Sequence, residues 1–295
     1  MKEKSIYALG FFDGVHVGHQ ALLSECRRLA RELNMKPCAI SFQRHPMSIF
    51  TDTPPLLISS MADRDKLLRR YGMEEIHFLP VTKDVMSTPW QDFLAGLIEK
   101  GASGFVCGDD FRFGNKGEGN AEKLQAFCRE QGFPCVIVPE QLFDGKRISS
   151  THIRTLLEKG EPEQANRLLG HPHILTGEVV SGKQLGRTIG IPTANLHLPE
   201  GLLIPRFGVY ACKATVDGKE YMAVTNIGTR PTVSGENVTV EAFLLDFNGD
   251  LYGKTLALAF HKFLRPEKKF SSLPELQKEI LKNTQQTRNF FTKSE

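Results

Sequence analysis

The chain has 295 residues, of which 40% are hydrophobic and 24% are charged, and its formal net charge is +3. This length predicts two domains of a globular protein, and so small a net charge does not favour a nucleic-acid partner. No apolar run approaches the roughly 18 residues of a membrane span, no signal-peptide pattern is present, and no Cys-x-x-Cys pair indicates zinc. We expect a cytoplasmic protein with reduced cysteines and no membrane partner. The sequence leaves the oligomeric state open.

In the first half, short apolar runs alternate with amphipathic helical periods. Apolar positions between Leu22 and Leu33 recur at helical spacing and predict the first helix. Further helices are predicted over residues 62–71, 89–100 and 121–131, and strands over residues 5–12, 37–42, 104–108 and 134–139. Strands that alternate with helices indicate a parallel sheet with crossover helices, so we predict an α/β, Rossmann-like domain.

The pattern changes near residues 170–176. Strand-like segments separated by turn signals such as Asp217-Gly218 predict an antiparallel sheet that closes into a small β-barrel. These segments span residues 208–216, 219–228, 238–247 and 254–264, and a terminal helix is predicted over residues 271–291. Residues 160–172 form a short helix and connector, so we predict domains 1–170 and 171–295.

The stretch GFFDGVHVGH, residues 10–19, lies between the first strand and the first helix. A helix N-terminus presents free N–H groups and the positive end of the helix dipole, so it binds anions. Glycines let a nucleotide approach the backbone, and His16 and His19 would stabilise charge on a transferred phosphoryl or nucleotidyl group. The alternative is one capping and one packing histidine, but two histidines in this junction favour a functional role.

Two later stretches are expected at the same sheet edge. GDDFRFGNKGEGN, residues 108–120, follows a strand, and open α/β sheets bind ligands where their strands end. RISSTHIR, residues 147–154, places the hydroxyls of Ser150 and Thr151 and the guanidinium of Arg154 at a helix start, which suits a triphosphate. A solvated glycine loop and a plain helix cap are the respective alternatives.

In the second half, Gly177–Lys183 has the spacing of a P-loop, but Gln184 stands where Ser or Thr is needed and no helix follows. We reject a P-loop and predict a flexible phosphate flap. Thr193 and Asn195 are hard oxygen ligands suited to Mg²⁺ with bound phosphates, although the same residues could form a simple turn. The flap is formed by Gly182, Gly186 and Gly190, with Lys183 and Arg187 as candidate positive charges for nucleotide binding, and Pro192 fixes the chain directly after it.

The motifs G-x-F-D-G-x-H-x-G-H, G-x-D-F-x-F-G and I-S-S-T-x-I-R together resemble the adenylyltransferase module of bacterial bifunctional riboflavin kinase/FAD synthetases. The resemblance implies that His16 and His19 contact ATP phosphates. It also implies that Asp110 lies near the nucleotide and the flavin phosphate. Further nucleotide contacts are implied for Gly10, Phe11, Gly18, Ser150, Thr151 and Arg154. The chain departs from the family pattern at Phe11, where many relatives have Asn, and at Gln43, which replaces an acid.

The segment 182–195 resembles the riboflavin kinase motif G-x-x-x-G-R-x-x-G-x-P-T-A-N. This implies Mg-ATP binding by Thr193 and Asn195, catalysis by Glu241, and flavin binding by Arg230 and Phe207. A barrel-surface acid is the alternative for Glu241. The implied function is phosphorylation of riboflavin to FMN and adenylylation of FMN to FAD, with ATP as co-substrate. The alternatives are an enzyme with one of these activities and a non-catalytic flavin-binding regulator.

Overall fold

The structure, a computed structural model, describes residues 3–182, 186, 190–232 and 235–292, and within this range it does not describe the side chains of residues 230–232 and 235–237. The chain divides into two compact units, residues 1–150 and 151–295. The first unit contains the parallel sheet and the second contains the barrel. The division into functional domains 1–170 and 171–295 stays a prediction.

The first unit is built on one sheet. Its elements in chain order are β1 (Ser5–Leu9), α1 (Val17–Glu32), β2 (Lys36–Phe42), α2 (Met61–Arg70), β3 (Glu75–Leu79), α3 (Lys83–Met86), α4 (Trp90–Glu99), β4 (Ala102–Gly108), β5 (Arg112–Phe113), β6 (Gly119–Asn120), α5 (Ala121–Gln131), β7 (Cys135–Val138), β8 (Leu142–Phe143) and β9 (Lys146–Arg147). The helix α6 (Ser150–Lys159) begins at Ser150, the last residue of the first unit.

The main sheet has the strand order β3-β2-β1-β4-β7, and every neighbouring pair is parallel. The order turns back between β1 and β4, because β2 and β3 lie on one side of β1 while β4 and β7 lie on the other. Such a switch point opens a crevice at the carboxyl ends of its two strands. Residues 10–19 and 109–112 follow those two strands, so the topology places both stretches at the crevice.

The three inner strands of this sheet, β2, β1 and β4, are buried on both faces. In β1, Ile6 and Ala8 face a core shared with α1 and α2, whereas Tyr7 and Leu9 face a core shared with α4 and α5. A central strand covered on both sides is continuously apolar rather than alternating, which is why its sequence is readable as a strand. The α/β prediction is confirmed, and β3 is a strand that the sequence analysis did not predict.

The second unit is a closed antiparallel barrel with the strand order β10-β11-β14-β13-β12-β15. Its elements are α7 (Pro162–Leu169), β10 (His173–Val180), β11 (Ala194–His197), β12 (Gly208–Val216), β13 (Lys219–Thr232), β14 (Gly235–Leu244), β15 (Thr255–Arg265) and α8 (Leu273–Thr292). The predicted barrel and terminal helix are confirmed, while β10 and β11 were not predicted as strands. α8 packs against β12 and β13.

No helix in the described part of the chain is both long enough and apolar enough to cross a membrane.

One buried imidazole lies at the start of the barrel. His173 is 1% exposed, and neither of its ring nitrogens has a hydrogen-bond partner among the described residues. Its backbone is held by Asn166 of α7, whose Oδ1 accepts from the His173 N–H at 2.8 Å while its Nδ2 donates to Phe260 O at 2.8 Å. Burial, with a smaller contribution from His171, lowers the pKa of His173 to about 3. The ring is therefore neutral in the folded protein.

We predict that His173→Phe makes the protein less sensitive to acid. The unfolded chain binds a proton at His173 below about pH 6.5 and the folded chain does not, so stability is complete above that pH and falls as the pH drops towards the folded pKa. Between about pH 7 and pH 5 the wild type should lose roughly 2 kcal/mol more than the variant in urea unfolding. Replacing the exposed His197 by Phe is the control, and equal pH dependence of His173→Phe and wild type would contradict the prediction.

Candidate active sites

The turn between β1 and α1 has an unusual backbone. Phe12, Gly14 and Val15 have φ angles of 58°, 75° and 43°. The left-handed region is open to glycine but strained for a β-branched residue such as Val15. The strain lies directly before His16, the residue that begins the helix.

The buried carboxylate of Asp13 holds this turn in place. It accepts hydrogen bonds from the Ile58 N–H at 3.0 Å and the Ser59 N–H at 3.1 Å. The Gly14 N–H donates to Ser59 Oγ at 3.0 Å, and Ser150 Oγ donates to the Asp13 carbonyl at 3.1 Å. Asp13 therefore has a structural role, and Ser150 is tied to the same turn.

His16 and His19 stack on each other. His16 caps α1, where its Nδ1 accepts from the His19 backbone N–H at 3.3 Å. The ring centroids are 3.6 Å apart and the planes differ by 14°. The Phe12 and His19 rings pack edge-to-face, with centroids 5.3 Å apart. Both imidazoles are thus fixed by packing before any ligand arrives.

Both imidazoles are neutral near pH 7. Burial lowers the pKa of His16 to about 4, helped by the nearby charge of Arg147. Burial also lowers the pKa of His19 well below its usual value, with further contributions from His16 and Arg64. Because His16 Nδ1 is a hydrogen-bond acceptor, the ring proton lies on Nε2, which can donate to an anion.

These histidines line a cavity of about 390 Å³ at the crevice between β1 and β4. The structure brings together most of the nucleotide contacts expected in this half of the chain. The predicted residues that line the cavity are Gly10, Phe11, His16, Gly18, His19, Asp110 and Ser150. Thr151 and Arg154 follow on α6 and fall in the second compact unit, so their roles stay predictions.

Arg147 is a residue of this cavity that the sequence analysis missed. It lies on β9, forms an ion pair with Asp110, and contacts the Glu140 carboxylate at 2.8 Å. Asp109, next to Asp110, instead accepts from the Glu140 backbone N–H at 3.3 Å. The signal was available, because Arg147 directly precedes the motif ISST. Arg147 and Arg112 are the cationic side chains that line this cavity among the described residues, and Arg147 is paired there with two carboxylates.

The second site is a row of polar side chains across the barrel. Asn195 on β11 is opposite Glu241 on β14, and Glu241 is opposite Asn226 on β13. Directly opposed residues of neighbouring strands face the same side of a sheet, so the three form one row. All three line a cavity of about 280 Å³. The sequence analysis assigned no role to Asn226.

The flap region approaches this row closely. A Cβ atom on Gly182 would collide with the Asn195 side chain, and one on Gly186 would collide with the carbonyl of Ile191. Position 186 therefore requires glycine, whereas a larger residue at position 182 would displace the Asn195 amide. Thr193 lines the barrel cavity of about 280 Å³. Thr193 and Pro192 also line a second cavity in the barrel, of about 120 Å³. The predicted phosphate-binding Lys183 and Arg187 lie outside the described residues.

Residues of the terminal helix α8 form part of the wall of the 280 Å³ barrel cavity. Arg265 Nε donates to the Asn283 side-chain oxygen at 3.2 Å and lies 3.5 Å from the Glu279 carboxylate. Both Arg265 and Asn283 line the cavity, and burial lowers the pKa of Arg265. Phe207, predicted to bind flavin, is not a lining residue, and the side chain of Arg230 lies outside the described part. The flavin roles of both stay predictions.

The comparisons with known proteins cover both units. The family model described as FAD synthetase matches residues 1–152, and the one described as riboflavin kinase matches residues 169–291.

Curated relatives match nearly the whole chain. Bifunctional riboflavin kinase/FMN adenylyltransferase of Listeria monocytogenes serovar 1/2a is 33% identical over 294 residues, covering 98% of this chain and 93% of the relative. The protein of the same name from Escherichia coli K12 is 36% identical over 294 residues, with coverages of 98% and 94%. A crystal structure described as a macrolide-efflux protein from Streptococcus pneumoniae is 32% identical, with a TM-score of 0.88 and coverages of 98% and 95%. This chain belongs to the family of bifunctional riboflavin kinase/FMN adenylyltransferases.

Proposed function

We propose that the chain catalyses two successive steps of flavin nucleotide synthesis. The barrel unit transfers the γ-phosphoryl group of ATP to the ribityl hydroxyl of riboflavin, giving FMN and ADP. The sheet unit transfers AMP from ATP to FMN, giving FAD and pyrophosphate. The observation that carries the proposal is that each compact unit has its own cavity, lined by residues suited to its step. The matches to two family models support it.

In the kinase step, Glu241 acts on the hydroxyl of riboflavin. Its carboxylate lies between Asn195 and Asn226 in the row across the barrel. As the hydroxyl oxygen bonds to the γ-phosphorus, its proton passes to this carboxylate and ADP leaves. A positioned base and aligned reactants are the main requirements of phosphoryl transfer.

The donor set of the same cavity fits Mg²⁺. The Thr193 hydroxyl, the Asn195 amide oxygen and the Glu241 carboxylate are hard oxygen donors, which this ion prefers in company with substrate phosphates. We propose that Thr193 and Asn195 hold it. When bound, Mg²⁺ neutralises phosphate charge on ATP.

In the adenylyl-transfer step, an FMN phosphate oxygen bonds to the α-phosphorus of ATP, and pyrophosphate leaves with the electrons of the broken P–O bond. His16 donates from Nε2 to the phosphate charge that develops, as a neutral imidazole already fixed by stacking on His19. Positive charge comes from Arg147 and Arg112, which both line the cavity, rather than from the histidines. Neither step forms a covalent bond to the protein.

Two other functions compete with this proposal. One is an enzyme with a single activity, whose second cavity only binds, and the other is a flavin-binding regulator without catalysis. Both cavities are lined by residue types that are suited to binding phosphate, which favours the bifunctional enzyme. We further propose a cytoplasmic location and no nucleic-acid partner, which the six free cysteines and the net charge of +3 support.

We predict that single substitutions separate the two activities. His19→Ala should lower FAD formation from FMN by about 10²-fold or more and leave FMN formation intact. Glu241→Ala should lower FMN formation from riboflavin by about 10²- to 10⁴-fold and leave FAD formation from supplied FMN intact. Chromatography of FMN and FAD after incubation with ATP and Mg²⁺ measures both. A wild type that binds flavin without turnover would support the regulator, and one product alone would support the single-activity enzyme.

The protonation of the histidines can be tested separately. We predict that His16 stays neutral as the pH falls from about 8 to 5, because burial opposes its charge, and that it titrates near pH 4. Ring-nitrogen NMR shifts should show Nδ1 unprotonated and Nε2 protonated at neutral pH. Titration of His16 near its usual pKa would contradict this. The exposed His197 is an internal reference in the same spectra.

Arg147 gives a third prediction. Arg147→Met should raise the KM for ATP in FAD formation by about tenfold, since it removes a partly exposed charge from the cavity, and should leave FMN formation unchanged. The matched control is Lys146→Met, one residue earlier on the same exposed strand. An equal effect of the two substitutions would show that net charge alone, and not the position of Arg147, matters.

A further inference from the structure

A fully buried arginine lies behind the adenylyl-transfer cavity. Arg64 is 0% exposed and belongs to the inner face of α2, where Leu67 and Leu68 occupy the neighbouring positions. An arginine at such a position is rare, because burial of a guanidinium costs several kcal/mol unless a carboxylate pairs with it.

The partners of Arg64 are neutral. One terminal nitrogen donates to the Phe11 carbonyl at 3.1 Å, the other donates to the Phe42 carbonyl at 2.6 Å, and Nε has no partner. The guanidinium carbon lies 4.7 Å from the centroid of the Phe11 ring and 5.3 Å from that of Phe78. No carboxylate among the described residues lies within 4 Å of it.

The charge is retained despite this environment. Burial lowers the pKa of Arg64 to about 10, and Asp13 opposes that shift. The guanidinium therefore remains a cation at neutral pH, and the buried carboxylate of Asp13 acts on it from beyond ion-pair distance. Its two hydrogen bonds to carbonyls satisfy the terminal nitrogens but do not neutralise the charge.

Arg64 contacts a residue that lines the adenylyl-transfer cavity. Phe11, whose carbonyl and ring it holds, lines the cavity together with His16 and His19, whereas Arg64 itself does not line it. The charge of Arg64 also contributes to the low pKa of His19. Arg64 thus acts through these neighbours, as a positioning residue.

We propose that Arg64 provides a fixed positive charge behind the adenylyl-transfer site, and that this charge attracts the phosphates of the bound nucleotide. By its hydrogen bond and its ring contact it also fixes Phe11 at the cavity wall. The inference rests on the proposed function of this cavity and adds a residue that contacts neither substrate.

The experiment compares Arg64→Met and Arg64→Lys in the full chain, with Arg69→Met as control. Arg69 lies on the exposed face of the same helix, paired with Asp65. Three quantities are measured: kcat and the KM for ATP in FAD formation, FMN formation as an internal control, and the pKa of His19 by NMR. Thermal unfolding shows whether each variant is folded.

Arg64→Met should raise the KM for ATP by about tenfold and raise the pKa of His19, since both effects come from the lost charge. Arg64→Lys keeps the charge but not the two-carbonyl geometry, so its KM for ATP should stay within about threefold of wild type while kcat falls. FMN formation should not change in any variant, and Arg69→Met should match wild type throughout.

An unchanged KM and an unchanged His19 pKa in folded Arg64→Met would overturn the inference, as would equal losses in the Met and Lys variants. If Arg64→Met does not fold, Arg64→Gln replaces it, and failure of both to fold would show a structural role and also overturn the inference. If wild type forms no FAD, the proposed function fails, while the His19 titration still tests the role of Arg64.

Discussion

The first unit depends on the buried carboxylate of Asp13. By accepting two backbone N–H groups from residues 58 and 59, it compensates for its own burial and holds a turn that contains the strained Val15. That turn sets where α1 begins and therefore where His16 and His19 stack. The geometry of the two histidines for which we propose catalytic roles is thus determined by a neighbouring residue to which we assign no role in the reaction.

The two units bring together the residues of their proposed phosphate-binding sites by different physical routes. In the sheet unit, the switch in strand order opens the crevice, and a helix start, neutral imidazoles and Arg147 supply the donors. In the barrel, strand register alone aligns Asn195, Glu241 and Asn226. Burial makes the imidazoles poor bases and leaves them available as donors, so charge and hydrogen bonding are divided between different residues of the first cavity.

Much of this architecture was predictable from the sequence. The alternation of apolar runs and helical periods gave the parallel sheet, and regular strands with turn signals gave the barrel. The motif residues around His16 and Asn195 do converge on cavities. β3 was missed because its partly exposed sequence EIHFL lacks a continuous apolar run, and β10 and β11 because His173, Glu178 and Asn195 interrupt their patterns. Arg147 and Arg64 were missed because their significance lies in contacts between distant segments, which no local pattern records.

The row across the barrel limits which insertions and deletions its strands can accept during evolution. Side chains alternate between the two faces of a strand, so inserting or deleting a single residue in β14 before Glu241 would turn its carboxylate to the opposite side of the barrel wall. A change of two residues would restore the face but shift the partner on each neighbouring strand. We therefore expect length changes near β11, β13 and β14 only in the loops that join them.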